Sequence, residues 1–409
     1  MAHHLARLNA SFNSPRETGV FGTGDLGSGC RVPERPLSRR LILPVLLVLS
    51  TPVLAQKADV VSSEKAKFRV ETMASDLENP WAVAFLPDGR ALITERPGRL
   101  RILGKDGKLG EVSGVPEVAA VGQGGLLDVV LAPDFAKSRR IYFTYAEPRG
   151  AVNGTAVAHA RLSNDTTKLE NLTVIFRMEP GRGGGFHFGS RLAFAPDGNL
   201  FVTLGERNAM QPAQDLSGHL GKVVRIAADG SVPKDNPFVG KENVRPEIWS
   251  YGHRNPQGAA INPASGKLWV NEHGARGGDE INIPQAGKNY GWPVISYGRH
   301  YSGAKIGEGS AKPGMEQPIY HWDPSIAPSG MMFYTGDVFP AWKGNAFVGA
   351  LVLRHLQRLE LDGEKVVKAE RLLTDLKERI RDVRQAPDGS IWVVTDSRDA
   401  RILRHSPAN

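Results

Sequence analysis

The run FAPDGNLFVTLGE at residues 194–206 decides how this chain is read. Proline presets the first angle of a turn and glycine supplies the left-handed one, so Pro196-Asp197-Gly198 is a tight turn. The β-rich apolar run after it is a strand fed by that turn. The same arrangement recurs as FLPDGRALITE (85–95), LAPDFAKSRRIYFTYA (131–146), INPASGKLWVNEHG (261–274) and QAPDGSIWVVTD (385–396). The prolines fall at 87, 133, 196, 263 and 387, giving gaps of 46, 63, 67 and 124. The last gap is close to two of the others, and SGMMFYTGDVFPAWKGNAFVGAL (329–351) supplies strand-turn-strand character between them. Repeats at this spacing are units that cannot bury their faces alone and must pack in a ring or a stack. The expected architecture is all-β: a six-bladed β-propeller, with roughly four strands per blade, over residues 56–409. A pair of β-sandwiches is the alternative such turns permit. In a propeller, loops at one end converge on the central channel. The strands of the repeat end in polar clusters, Glu95-Arg96, Glu206-Arg207, Glu272-His273 and Asp396-Ser397, and those ends are where a site is expected.

The N-terminus reads differently. Arg39 and Arg40 precede the apolar run 41–49, and Pro52-Val53-Leu54-Ala55 supplies small residues, the pattern of a secretory signal peptide cut near Ala55 or Gln56. The apolar run is short of the ~20 residues a spanning helix needs, so a membrane anchor is the weaker reading and the mature chain is not expected to be an integral membrane protein. Residues 1–55 are therefore a removed leader. Cys30 lies within it, leaving no cysteine for a disulfide, a redox pair or a thiolate metal site, which suits a periplasmic location. Removing the six arginines and three acidic residues of the leader takes the net charge from +8 to +5. That excess is scattered, without a basic run, which argues against nucleic acid and is compatible with a site for anions.

The densest chemistry lies at 251–293, YGHRNPQGAAINPASGKLWVNEHGARGGDEINIPQAGKNYGWP. Arg254 and Asn255 precede a proline, so the chain there is extended or turning. The glycines of HGARGGDE bring bare backbone towards whatever occupies the site. The stretch reads as an anion and metal site on a sheet scaffold. A transition-metal site built from His253, His273, Glu272 and Asp279 is a rival reading, without a defining ligand spacing.

In order along the chain come NPWAVAFLPDGRALITER, GQGGLLDVVLAPDF, GRGGGFHFGSRLAFAPDGNLFVTLGER, AQDLSGHLGKVVRI, the 251–293 stretch and RIRDVRQAPDG, the carrying motifs of a likeness that extends over roughly residues 68–405. This series resembles the soluble pyrroloquinoline-quinone (PQQ) dehydrogenases of the glucose/sorbosone dehydrogenase family, most of all their aldose sugar dehydrogenase branch. The resemblance implies a six-bladed propeller that holds PQQ and Ca2+ and oxidises an aldose at its anomeric hydroxyl to the lactone. His187 matches the general base, a role for which neutral imidazole is chemically suited. Arg254 and Asn255 match the pair contacting the quinone oxygen, where a fixed cation would stabilise arriving charge. PQQ carries three carboxylates, and Arg379 and Arg381, two apart on an expected strand, match their ligands. Gln123 matches another cofactor contact; Glu206 and Gln211 fall among polar pocket positions, with Gln257 close by.

Gly274 and Ala275 occupy the positions whose carbonyls hold the calcium beside PQQ, and Glu280 and Tyr290 imply a second, structural calcium. The family often has a lysine where Val352 stands, and Arg354, two residues on, could substitute if both lie on one strand. Tyr301, Trp322 and Ser325 are expected pocket walls. The partners implied are an aldose substrate and an external electron acceptor, because no haem, flavin or cysteine motif can pass electrons on. A monomer or homodimer is expected. Two other functions fit a propeller: a non-catalytic carbohydrate- or protein-binding scaffold, and a metal-dependent lactonase.

Overall fold

The computed structural model describes residues 59–408; the leader and its cleavage site lie outside the described residues. Six antiparallel sheets follow one another along the chain. Blade one holds the strands Pro80–Phe85, Ala91–Glu95, Arg99–Leu103 and Leu109–Val112, and blade two Leu126–Leu131, Arg140–Arg149, Val152–Leu162 and Leu169–Arg177. Blade three holds Gly189–Phe194, Leu200–Leu204, Lys222–Ile226 and Ile248–Tyr251; blade four holds Pro256–Ile261, Leu268–Glu272, Asp279–Asn282 and Tyr320–Trp322. Blade five holds Pro328–Phe333, Ala346–Ala350, His355–Asp362 and Lys365–Leu372. Blade six takes Ile380–Gln385, Ile391–Thr395 and Ala400–Pro407 from the C-terminal end and Lys67–Leu77 from the N-terminal end, with Asp59–Ser62 outermost. The first strand of each blade packs on that of the next, and the sixth packs on the first. The ring is closed, as expected for a six-bladed propeller.

Each repeated turn joins the first and second strands of a blade. In blades one, three and six the turn glycines Gly89, Gly198 and Gly389 sit at φ of +89°, +83° and +81°. The turn aspartates Asp88, Asp197 and Asp388 accept the N–H two residues on, at 3.0, 2.9 and 2.9 Å. In blade five the turn is stretched into a loop carrying the 3-10 segment Pro340–Trp342, which is why its repeat is degenerate. The second strands of blades one, three, four, five and six are buried along their whole length. Neighbouring blades cover both faces, so these strands read as near-continuous apolar runs rather than alternating ones.

Every first strand is bulged near the end opposite the turn. A bulge frees a backbone N–H, and in three blades a second-strand threonine takes it: Thr94 accepts from Ala82, Thr144 from Asp128 and Thr203 from Arg191, at 3.1, 2.9 and 3.0 Å. The same hydroxyls donate across to the next blade, to the carbonyls of Leu127, Ser190 and Pro256. Each of these three bulges is thus a clasp between blades.

At the bulges the channel is plugged by charge. Arg191 lies 3.0 Å from Asp128 and 3.2 Å from Asp382, and Arg384 lies 3.1 and 3.0 Å from the same carboxylates. Trp81 covers the Arg191 guanidinium at 4.0 Å, and the Gln257 carbonyl accepts from its Nε. Blade five contributes by what it lacks: a Cβ on Gly330 would sit 2.0 Å from the Asp382 carboxylate. All six blades therefore meet at this quartet, which forms a rigid floor under one end of the channel.

Candidate active site

His187 stands in the loop that enters blade three, with its backbone in the left-handed region at φ +52°. That conformation depends on Gly205 opposite, where a Cβ would lie 2.1 Å from the His187 carbonyl. The His187 N–H donates to Gln123 Oε1 at 2.9 Å. Its Nδ1 meets Glu206 Oε1 at 2.5 Å, and the second oxygen of Glu206 accepts the N–H groups of Ala209 and Met210. Burial lowers the His187 pKa; Glu206 opposes this and Arg254 adds to it. Burial would raise the Glu206 carboxyl, but the His187 ring, the Met210 N–H and the Arg254 charge together outweigh it and the net shift is downward. The result is a neutral imidazole whose Nδ1–H is held by a carboxylate, leaving the Nε2 lone pair as the available acceptor. The ring lines a cavity of about 720 Å³ together with Arg254, Gly274, Ala275, Ser325 and Tyr301.

Arg254 and Asn255 turn from blade three into blade four. The Arg254 backbone is pinned on both sides, its carbonyl by Glu206 N–H at 2.9 Å and its N–H by Glu272 at 2.7 Å. The guanidinium reaches the His273 carbonyl at 3.3 Å and lies 5.2 Å from the Trp292 ring. Asn255 Oδ1 accepts from Gly189 N–H and from Gln257 Nε2. Gln257 in turn accepts from Arg381 at 3.0 Å, linking the Asn255 corner to the far wall.

That far wall bounds a second chamber of about 260 Å³, which shares Gln123, His273, Tyr301, Ala327 and Val352 with the first. Arg379 and Arg381 both reach Asp396 Oδ2, at 3.1 and 2.9 Å, so the two converge on one carboxylate, although Arg379 precedes the strand Ile380–Gln385 and a bulge at its start breaks the regular alternation expected there. Burial alone would raise the Asp396 carboxyl, but Arg381, Arg379 and Arg96 hold it well below the usual carboxylate range. Four donors at or beside these chambers, Arg96 Nε, Arg254 Nε, Asn255 Nδ2 and Arg381 Nε, are buried without an acceptor among the described residues. Unmade hydrogen bonds of buried donors are costly, so the donor set suits a planar polycarboxylate carrying carbonyl oxygens.

The structure corrects several expectations. Residues 351–354 form a turn after the strand Ala346–Ala350, so the parity argument linking Val352 to Arg354 fails. Arg354 is exposed, donates to the Lys377 carbonyl at 3.3 Å and is not in the cavity wall, whereas Val352 is. Gln211 is exposed at the start of the 3-10 segment Gln211–Ala213, away from either chamber wall. Trp322 belongs to a core cluster, while Ser325 lines the cavity. The glycines serve chain-to-chain approach: a Cβ on Gly185 would meet the Val121 carbonyl at 2.7 Å, and one on Gly274 the carbonyls of Gly277 and Gly278 at 2.3 Å.

Glu280 and Tyr290 lie in a separate cluster. Glu280 faces Glu272 across the sheet, and burial together with the Glu272 charge pushes its carboxyl up to about 8. Two buried carboxylates facing each other form a donor set for a hard cation. The Tyr290 hydroxyl is already committed to the Ile283 carbonyl at 2.6 Å, so its phenol is not a free ligand. The transition-metal reading finds no support: His253 engages Glu272 through Nδ1 and Ser250 through Nε2, and His273 engages the Pro328 carbonyl. Asp279 instead braces two wall segments, accepting from Gly274 N–H, Ser325 Oγ and Ala327 N–H. No helix among the described residues is long and apolar enough to cross a membrane.

Residues 77–404 match the model of the Glucose / Sorbosone dehydrogenase family. The chain is 51% identical over 350 residues to aldose sugar dehydrogenase YliI of Escherichia coli (strain K12), an alignment covering 84% of this chain and 94% of that one. A crystal structure of a glucose dehydrogenase is similar at TM-score 0.82 and 53% identity, covering 83% of this chain and 99% of the other. The PQQ-bound form of an aldose sugar dehydrogenase from Streptomyces coelicolor is similar at TM-score 0.70 and 29% identity, covering 83% and 98%.

Proposed function

The chain belongs to the glucose/sorbosone dehydrogenase family, and on that premise we propose that it is an exported, PQQ- and calcium-dependent enzyme oxidising aldoses at the anomeric hydroxyl to lactones. The observation that carries the reading is the His187–Glu206 pair: its proton-bearing nitrogen is anchored at 2.5 Å and its ring opens on a cavity shared with Arg254. When bound, PQQ supplies the two-electron oxidant that accepts hydride from the sugar carbon. His187 Nε2 takes the proton of the anomeric hydroxyl, and Glu206 stabilises the imidazolium that results. Arg254, fixed by its own backbone contacts, and Asn255, with its unpaired Nδ2, would face a quinone oxygen and favour negative charge there. Arg379 and Arg381 would hold the carboxylates, with Gln123 and Tyr301 in the surrounding wall.

The Gly274–Ala275 segment, in the wall of the larger chamber, would offer carbonyl oxygens to a calcium ion; Glu280 with Glu272 and neighbouring carbonyls would hold a structural one. An acceptor outside the chain would reoxidise the enzyme. The test is to add PQQ and Ca2+ to the purified protein and follow dye reduction with a panel of aldoses. Sugar-dependent reduction is expected. No reduction with any aldose, together with no PQQ-induced spectral or thermal shift, would sink the proposal.

A further inference from the structure

The chamber of the arginines contains one more guanidinium than the sequence pattern assigns. Arg96 ends the second-strand region of blade one, as Asp396 does in blade six, so the ring brings the two together across the closing seam. Arg96 donates through Nη1 to the Gly122 carbonyl, and its Nη2 lies 3.9 Å from Asp396 Oδ1. That separation is beyond a hydrogen bond, and Asp396 Oδ1 is buried without a donor among the described residues. Arg379 and Arg381 crowd instead onto the other oxygen, Oδ2. One carboxylate therefore faces three guanidiniums, and two of them, Arg96 and Arg381, keep a buried Nε without an acceptor. The wall residue Val352, lying in the same chamber, adds no charge, and Arg354 is directed elsewhere.

We infer that Arg96 is the third cation that binds the carboxylates of the cofactor, and that Asp396 is the internal counter-charge holding the three arginines in place. The inference rests on the PQQ reading above. It assigns Arg96 a direct contact with the ligand and Asp396 a positioning role through its neighbours. A planar tricarboxylate entering this chamber meets a net charge of two positive units, and Arg96 approaches it from the side of blade one, opposite Arg379 and Arg381 across Asp396.

The experiment is a titration of the full protein with PQQ in the presence of Ca2+, read by quenching of tryptophan fluorescence, Trp81 being in the wall. Arg96→Met should weaken PQQ binding about ten- to a hundredfold, the range for loss of a charged hydrogen bond, and should flatten the salt dependence of Kd. Arg354→Met should bind as the unsubstituted protein does. The Arg96→Met loss should persist when Asp396 is already replaced in Asp396→Asn. If it disappears in that background, Arg96 acts only by pinning Asp396 and the inference is overturned. Equal Kd values for Arg96→Met and the unsubstituted protein would overturn it too, while leaving the function intact. If the unsubstituted protein takes up no PQQ, both fall. Thermal melting of each variant separates loss of binding from loss of fold, and Arg96→Lys, which keeps the charge, should recover part of the affinity.

Discussion

Blades three and four carry the same pair twice. His187 and Glu206 are 19 residues apart, as are His253 and Glu272, and in both the histidine Nδ1 meets the glutamate Oε1, at 2.5 and 2.9 Å. In both, the histidine precedes the first strand; Glu272 is the last residue of the second strand of its blade, and Glu206 lies two residues past the end of its own at Leu204. The pairs differ in the far nitrogen. His253 Nε2 is closed by Ser250 Oγ at 2.8 Å, and the ring is stacked against Tyr290 at 4.9 Å, fully buried. His187 instead presents its ring to the cavity. One repeat unit thus supplies a hydrogen-bonded imidazole, and the surroundings decide whether it is a base or a brace. The brace is not idle: Glu272 also accepts the N–H of Arg254, so the closed pair holds a residue of the open pair's site.

The largest expected effect comes from opening this contrast at its reactive end. His187→Ala should lower kcat by about 10²- to 10⁴-fold, the usual span for a general base, while PQQ binding and melting temperature stay close to those of the unsubstituted protein. Unchanged turnover would remove His187 from the chemistry and leave the two pairs equivalent.

Glu206→Gln comes next. A glutamine can present its amide as a donor to Nδ1, which moves the ring proton to Nε2 and removes the acceptor. A loss on the order of 10²-fold in kcat/KM is expected. The pH profile carries a second readout. Burial holds the His187 pKa below its ordinary 6.5, so activity should fall with pH only on the acid side of that value. Glu206 opposes this shift, so its replacement should move the acid limb to still lower pH. A limb that stays in place would mean that Glu206 does not act through the imidazole.

How much of this was readable in the chain depends on whether a residue's meaning is local. The turn Pro196-Asp197-Gly198 carries its own geometry, so five hairpins and their order could be read directly, and the sixth followed from the doubled gap. Arg379 and Arg381 were legible as a pair by their spacing, but Arg379 precedes the strand Ile380–Gln385 and a bulge interrupts the start of that strand, so it is their shared partner Asp396, not a regular alternation, that unites them. Arg354 misled because the same parity was applied across a turn, where its own φ is +52°. The charge quartet could not be read, since Asp128, Arg191, Asp382 and Arg384 come from three blades and resemble ordinary surface charges in sequence. The partnership of His187 with Glu206 had one available signal, the 19-residue spacing repeated at His253 and Glu272. The strand-end clusters likewise contained Arg96 and Asp396, but only ring closure brings blade one against blade six.

His253→Phe tests the closed pair. Loss of the ring nitrogens leaves Glu272 Oε1 with Asn282 alone and strands the Ser250 hydroxyl, so a destabilisation of about 2–3 kcal/mol is expected. Turnover should fall only a few-fold, through looser placement of Arg254, and the pH profile should keep its shape. A loss of turnover as large as that of His187→Ala would erase the distinction between the pairs.

The smallest change is the most discriminating. Ser250→Ala removes only the hydroxyl that closes His253 Nε2 and costs about 1 kcal/mol, the net worth of one buried hydrogen bond plus the unmet demand of its partner. It makes the second pair chemically like the first, a carboxylate-anchored imidazole with a free nitrogen, but leaves it sealed under Tyr290. If the far nitrogen alone made a base, this variant would retain activity when combined with His187→Ala. Exposure to the cavity is the other requirement, and blade four does not meet it. The double variant should therefore be as inactive in dye reduction as His187→Ala, with only the melting temperature lowered by the second change.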